Sequence, residues 1–559
     1  MCSALMTPKW EQASVPRWEI TAYWIFSFSS HLYSFYQLHR FSKEHEATLD
    51  REVQLERGFL LWGFKKDPTD FEWSFWNEWA WQSLLWSLIG HAVVSRLAAH
   101  YLPRYRLAVL TVYGMLSAGW LLGVRGVALL MLHLSISFAV AQLRSPTLSW
   151  CCALLLISTL KISTLQDLQV QVQQNLCCFQ GSQGTSAERI EMRLKQACIK
   201  HHLTGHAHSH SLICRGWYTS EEQYYLLLFS IAVCSLRCIS FSLELCWRPL
   251  QAGEPNQHCP LLQHKGLQTL ISQIYKLLAY CFYHPLFYNG PIMTYRDFSE
   301  QIERPMCKVS LVDVLTGVLR VCVWWCLAEF MIHFMYMHAI QSNETFLEIL
   351  PSWALGGLAL ALVQFFYVKY LVLFGAVSLL VKLDGLDPPT LPRCVSIMYS
   401  FTGMWRHFDV GLYKWLIRYI YVPLGGSRHG VFRKLVSIAL AFAFVCFWHG
   451  CHDYLQCWAL LNWVGVSVEN ALALLFSSPP LHHAIVCCLS PRMQRRGLAL
   501  ISALSTAMLI LSNLVFLGGI HVGRIFWKRV FVQGWSSVAI PMIAFLYCFA
   551  QVGIEWDMR

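Results

Sequence analysis

The stretch FAFVCFWHGCHDYL, from Phe442 to Leu455, places one imidazole, His449, at the end of a run otherwise fit only for lipid or a protein core. Ionisable groups at membrane depth are costly and face an interior or a water-filled path. Burial favours the uncharged ring. The ordinary histidine pKa is near 6.5, so such a ring suits general-base work. If the helix starts near Lys434, the residues to Gly450 rise about 24 Å. The hydrocarbon layer is about 30 Å thick, so the ring would stop at the bottom of a depression. Two other readings stay open: a histidine hydrogen-bonded to a neighbouring helix, and a metal ligand together with Cys446 and His452.

Asp409, in MWRHFDVGLYKWLIRY, is the second candidate. A carboxylate among aromatics can orient an amine or fix an imidazole tautomer. It can equally cap a helix or pair with Arg406 or Arg418. Lys414 and Arg418 are four apart, hence neighbours on a helix, and suit phosphates or lipid headgroups. Cys394, in PPTLPRCVS, offers a thiol on a proline-stiffened loop. Such a thiol ligates iron, carries a lipid, or is simply buried.

The elements that position these residues follow from composition. Of 559 residues, 56% are hydrophobic and 13% charged, too few charges to coat soluble domains of this total size. Apolar stretches recur at bilayer length, starting near Trp18, Trp79, Leu107, Val127, Ser149, Tyr224, Leu277, Leu311, Trp353, Leu435, Tyr454, Leu498 and Trp535. This predicts an all-α polytopic membrane protein of about 10–12 transmembrane helices. Some segments would re-enter rather than cross. The first stretch reads as a retained signal anchor. Most of the 22 cysteines fall in apolar stretches and read as small buried hydrophobes. The net charge of +11 fits loops facing anionic membrane lipids, and no basic stripe of nucleic-acid type occurs.

One membrane-embedded domain is expected over 1–559. Residues 168–216 read as a flexible polar loop, with a histidine tract, His201 to His210, that either binds metal or is plain loop. Residues 251–266 read as a second loop. The segment 382–434, which carries Asp409, is too polar and proline-interrupted for an ordinary span. It reads as interfacial or re-entrant around an internal chamber. FLLWGFKKDPTDFEWSFWNEWAW, from Phe59 to Trp81, alternates aromatics with acids and predicts a surface-lying or re-entrant helix leading into the next span.

The strings YSFTGMWRHFDVGL, IRYIYVPLGGS, and WHG followed by DYLQCWALLNW resemble the membrane-bound O-acyltransferase family. HLYSFY, SFSLELCW, YNGPI, FMYMHAI and SNLVFLGG carry the same resemblance, which covers nearly the whole chain. It implies a central chamber and a multi-pass enzyme of the endoplasmic reticulum membrane. That enzyme would move palmitate from palmitoyl-CoA to the N-terminal cysteine amine of Hedgehog proteins. By the same resemblance His449 is the family's central histidine, Asp409 its aspartate and Cys394 an axial ligand of haem b. Trp405, Arg406 and Asn513 would line the chamber. In such an enzyme the neighbouring cations, Lys414 or Arg418, would meet the CoA phosphates. The chain departs from the pattern at His407, where a tyrosine is expected, and at Cys451–His452, where Gly–Tyr is expected. His449 and Asp409 are kept, which favours an active enzyme over a non-acylating relative. Three alternatives remain at this level. They are a related acyltransferase with another acceptor, a transporter with a His/Asp proton relay, and a scaffold that holds lipidated protein.

Overall fold

Helices fill the chain because its apolar runs leave backbone groups no partner but their own. The computed structural model describes residues 15–58, 65–159, 221–247, 260–304, 310–428 and 430–558. Among these the only strands are the antiparallel pair Glu56–Arg57 and Lys65–Lys66. Among the described residues, eight helices are long and apolar enough to cross a membrane. The stretches expected near Trp18, Trp79, Ser149 and Leu277 are also helical, wholly or in part, but are not among the eight, and those from Leu107 and Val127 form one helix, Arg106–Ala141. Arg17–Glu44 is interrupted by polar residues, Leu85–Tyr101 has 17 residues, and Pro146–Thr159 has only 14, about 21 Å. The helix Leu311–Phe334 leaves Leu311, Val312, Leu315, Leu319 and Val323 open, an apolar face that fits lipid.

The aromatic–acidic stretch forms the helix Phe71–Trp79 and runs through a π-turn, Ala80–Leu84, into Leu85–Tyr101. The helix Pro260–Cys281 begins inside the 251–266 stretch expected to be loop. Proline suits a first helical turn, where its missing N–H is not needed. The 168–216 stretch and the His201–His210 tract lie outside the described residues.

Contacts divide the chain into two units. One comprises Met1–Asp70, Leu319–Val372 and Thr390–Arg559. Here the helix Pro491–Trp527 packs on Asp453–Phe476 and on Ile540–Met558. The fully buried Arg495 donates to Gln551 Oε1 and Glu555 Oε2, both at 3.1 Å, while Arg496 pairs with Glu19 at 2.6 Å. Between two of its spans lies a broken segment. It holds a 3-10 turn Val395–Ile397, the short helices Phe401–His407 and Val410–Leu416, and a π-turn Ile417–Tyr421.

The other unit comprises Phe71–Val318 and Leu373–Pro389. Its core gathers Trp76, Trp79, Leu130, Phe241, Tyr280, Phe282, Tyr283 and Phe287. Buried Arg237 donates to the carbonyls of Tyr280 and Cys281, the last two of the helix Pro260–Cys281, and to that of Leu286 beyond it. Buried Asp384 collects His91 (2.8 Å), Ser95 and Tyr283 on its carboxylate.

Candidate active site

The helix Gly430–Trp448 ends where its sequence changes from FVCFW to HG. His449 is the last residue to make the regular bond four residues back, its N–H reaching Val445 O at 3.0 Å. Gly450 follows with φ +119°, a region that strains side-chain-bearing residues. Its N–H reaches Phe447 O (3.2 Å) and that of Cys451 reaches Cys446 O (2.9 Å). This left-handed ending satisfies the terminal carbonyls and releases the imidazole from the helix. The ring stands edge-on to Trp448 (4.7 Å) and to Phe516 (5.9 Å). Among the described residues neither ring nitrogen has a hydrogen bond. The His449 side chain keeps exposed surface.

The metal reading fails at the helix end. His452 lies beyond the turn, stacked on Tyr454 at 5.9 Å, and no group of three or more His, Cys, Asp or Glu suited to a metal occurs among the described residues.

Asp409 lies in the joint between two short helices. Its Oδ1 accepts from Leu412 N at 2.9 Å and so caps Val410–Leu416. No ion pair with Arg406 or Arg418 forms among the described residues. Loss of water pushes its pKa up to about 6, against the pull of the N–H groups of Leu412 and Gly411.

Aromatic rings join the two candidates. Phe516 touches His449 and Trp458 (4.8 Å), and Trp458 meets Trp405 at 5.7 Å. Phe516 also meets Phe366 (5.9 Å), which stacks on Phe408 (5.2 Å), the neighbour of Asp409 in the chain. The Trp405 indole donates to Asn462 Oδ1 at 2.9 Å. Asn513 is one turn from Phe516 on the same helix face, half-buried, with no side-chain hydrogen bond among the described residues. Arg406 and Lys414 are exposed; Arg418 is half-buried with its guanidinium over Tyr419 at 5.9 Å.

Cys394 is a free, half-buried thiol. It ends a stretch without regular structure; its carbonyl accepts from Ile397 N at 3.2 Å, while its thiol makes no hydrogen bond among the described residues. A donor of this kind fits an axial thiolate ligand.

Sequence reading missed Phe366, Trp458, Phe516 and Asn462. In an apolar span an aromatic residue reads as core or lipid contact, and no period separates those that line a chamber. Only their presence in the strings DYLQCWALLNW and SNLVFLGG marked Trp458, Asn462 and Phe516.

A model of the membrane-bound O-acyltransferase family matches residues 214–511. The chain is 45% identical to the protein-cysteine N-palmitoyltransferase HHAT of Mus musculus, over 97% of the chain and 98% of that protein. It is 27% identical to the mouse HHAT-like protein over 89% of the chain and 86% of that protein. To the protein-cysteine N-palmitoyltransferase Rasp of Drosophila melanogaster it is 28% identical, over 49% and 54%.

Proposed function

The chain belongs to the membrane-bound O-acyltransferase family, and from that premise we propose that it transfers palmitate from palmitoyl-CoA to the α-amine of an N-terminal cysteine. The acceptor is a secreted protein of the Hedgehog type, and the enzyme works in the endoplasmic reticulum membrane. The observation that carries the reading is His449: a ring at a helix end, set against Trp448 and Phe516, with no hydrogen bond on either nitrogen among the described residues, in a chain 45% identical to a protein-cysteine N-palmitoyltransferase. Membership of this family favours acyl transfer over a proton-relay transporter.

The thioester is already an activated donor. The amine nitrogen attacks its carbonyl carbon, the C–S bond breaks, and CoA leaves as a thiolate that takes up the proton lost by the amine. A free α-amine has a pKa of about 7.7–8.0, so a modest base suffices. His449 either accepts that proton as the bond forms or donates a hydrogen bond to the carbonyl oxygen. Asp409 positions the amine or the donor. The acyl chain contributes about 0.8 kcal/mol for each methylene taken from water, which lets the aromatic wall hold the tail. Trp405, Arg406 and Asn513 line the donor's path, and Lys414 and Arg418 meet its phosphates. Cys394 would hold haem b as thiolate ligand; no step of the transfer passes through it.

The test is an assay with labelled palmitoyl-CoA and a peptide beginning with cysteine. His449→Ala should lower turnover by about 10²–10⁴-fold, the range of general-base catalysis. Its yield of folded protein should match the parent, because the side chain makes no hydrogen bond among the described residues. Transfer at the parent rate would overturn the assignment. For haem, a Soret band in the purified protein that Cys394→Ala abolishes is expected; a parent without the band would remove the group.

A further inference from the structure

A seven-residue helix such as Phe401–His407 does not hold its shape alone, because nucleation costs more than so few bonds return. Its four N-terminal amides are nevertheless all satisfied. Phe401 N donates to Glu469 Oε1 at 2.7 Å and Thr402 N to Glu469 Oε2 at 2.9 Å. Gly403 N reaches Ser400 Oγ and Met404 N reaches Ser400 O, both at 3.0 Å. The hydroxyls of Thr402 and Ser505 complete the Glu469 carboxylate, each at 2.7 Å. Among the described residues no cation pairs with it; its charge sits against the positive end of the helix.

Glu469 belongs to the membrane-length helix Asp453–Phe476, where an acid is expensive. It does not stand alone there. Asn462, Gly465 and Glu469 fall three and four residues apart, on one face. Asn462 holds the Trp405 indole at 2.9 Å and ties it to Ser512 Oγ at 2.7 Å. Gly465 lets the Phe401 ring lie where a Cβ would come within 2.5 Å of it. One helix face thus grips the short helix at its first turn and at the tryptophan one turn on. Two residues past the end of the short helix comes Asp409.

We propose that Glu469 is a positioning residue for acyl transfer: by holding the first turn of Phe401–His407 it fixes the place of Trp405 and of Asp409. This rests on the acyltransferase reading above. Glu469→Gln keeps the shape but turns an NH₂ towards a backbone N–H or a hydroxyl donor. A displacement near 1 Å costs about 100-fold in turnover, so kcat should fall by that order while the KM for palmitoyl-CoA stays within about twofold. Backbone amide exchange at Phe401–Gly403 should quicken in the same purified variant, with the spans protected as in the parent. Unchanged kcat, or a kcat loss with exchange at Phe401–Gly403 unaltered, overturns the proposal. So does loss of protection throughout the chain, which marks a purely structural acid. A parent that transfers no palmitate refutes the reaction instead; the exchange measurement then still decides whether Glu469 holds the turn.

Discussion

Asp409 spends its carboxylate on Leu412 N, with Gly411 N beside it, whereas His449 spends neither ring nitrogen among the described residues. The two candidates therefore answer differently to substitution. Asparagine caps a helix about as well as aspartate, so Asp409→Asn removes the charge and leaves the cap. Alanine removes both and costs about 1 kcal/mol of stability in addition. Lower turnover in Asp409→Asn with thermal stability at neutral pH above the parent's, as loss of a buried charge requires, would show that the charge serves the chemistry; unchanged turnover would leave Asp409 a cap. The raised pKa fixes the pH dependence. The folded state holds this proton up to about pH 6, against 3.8 for an ordinary aspartate. Stability from the protonated carboxyl is complete below the lower value and is lost as pH rises through the upper one. Turnover that needs the carboxylate runs the opposite way and rises through about pH 6. A pH–kcat profile should show that limb in the parent and lack it in Asp409→Asn.

At the scale of elements, the site depends on where helices stop. Gly450 ends the histidine helix, and Gly519, with φ +85° and ψ 174°, breaks Pro491–Trp527 just after Asn513 and Phe516. That second conformation is open almost only to glycine. The break frees the Leu517 carbonyl, which the Gln341 amide takes up at 2.7 Å. Gly519→Ala should cost about 1–3 kcal/mol and shift the turn that carries Phe516 against His449. Both thermal midpoint and kcat should fall; a fall in neither would mean that the turn tolerates a side chain. Part of this was legible in sequence. HG after an apolar run and GG in SNLVFLGG mark breaks by local chemistry alone. The segment around Asp409 was legible as broken because prolines and charges interrupt it. What no local pattern could give is the partner: Gln341 lies 176 positions from Leu517, and Glu469 lies 68 from Phe401.

At the scale of the molecule, every candidate site residue, from Cys394 to Asn513, falls in the first unit. The second unit carries its own buried charge centre at Asp384. That centre joins His91, Ser95, Arg106 and Tyr283 across separations of 101 to 293 positions, so composition foretold a membrane protein but not this hub. Arg106 donates to the Asp384 carbonyl at 2.7 Å and lies 3.8 Å from its carboxylate. Replacing Asp384 by leucine leaves that guanidinium its carbonyl partner but removes its counter-charge, and strands the His91, Ser95 and Tyr283 groups in a buried place. Breaking such a centre on one side costs about 3–5 kcal/mol, a large share of a domain's net stability. The yield of monodisperse protein after detergent extraction should fall steeply for Asp384→Leu. The molecules that do fold keep His449, Asp409 and the rings between them, so their kcat and KM should equal the parent's. A changed KM in that folded fraction would mean that the second unit takes part in holding a substrate; unchanged constants with a lowered yield would assign Asp384 to the fold alone.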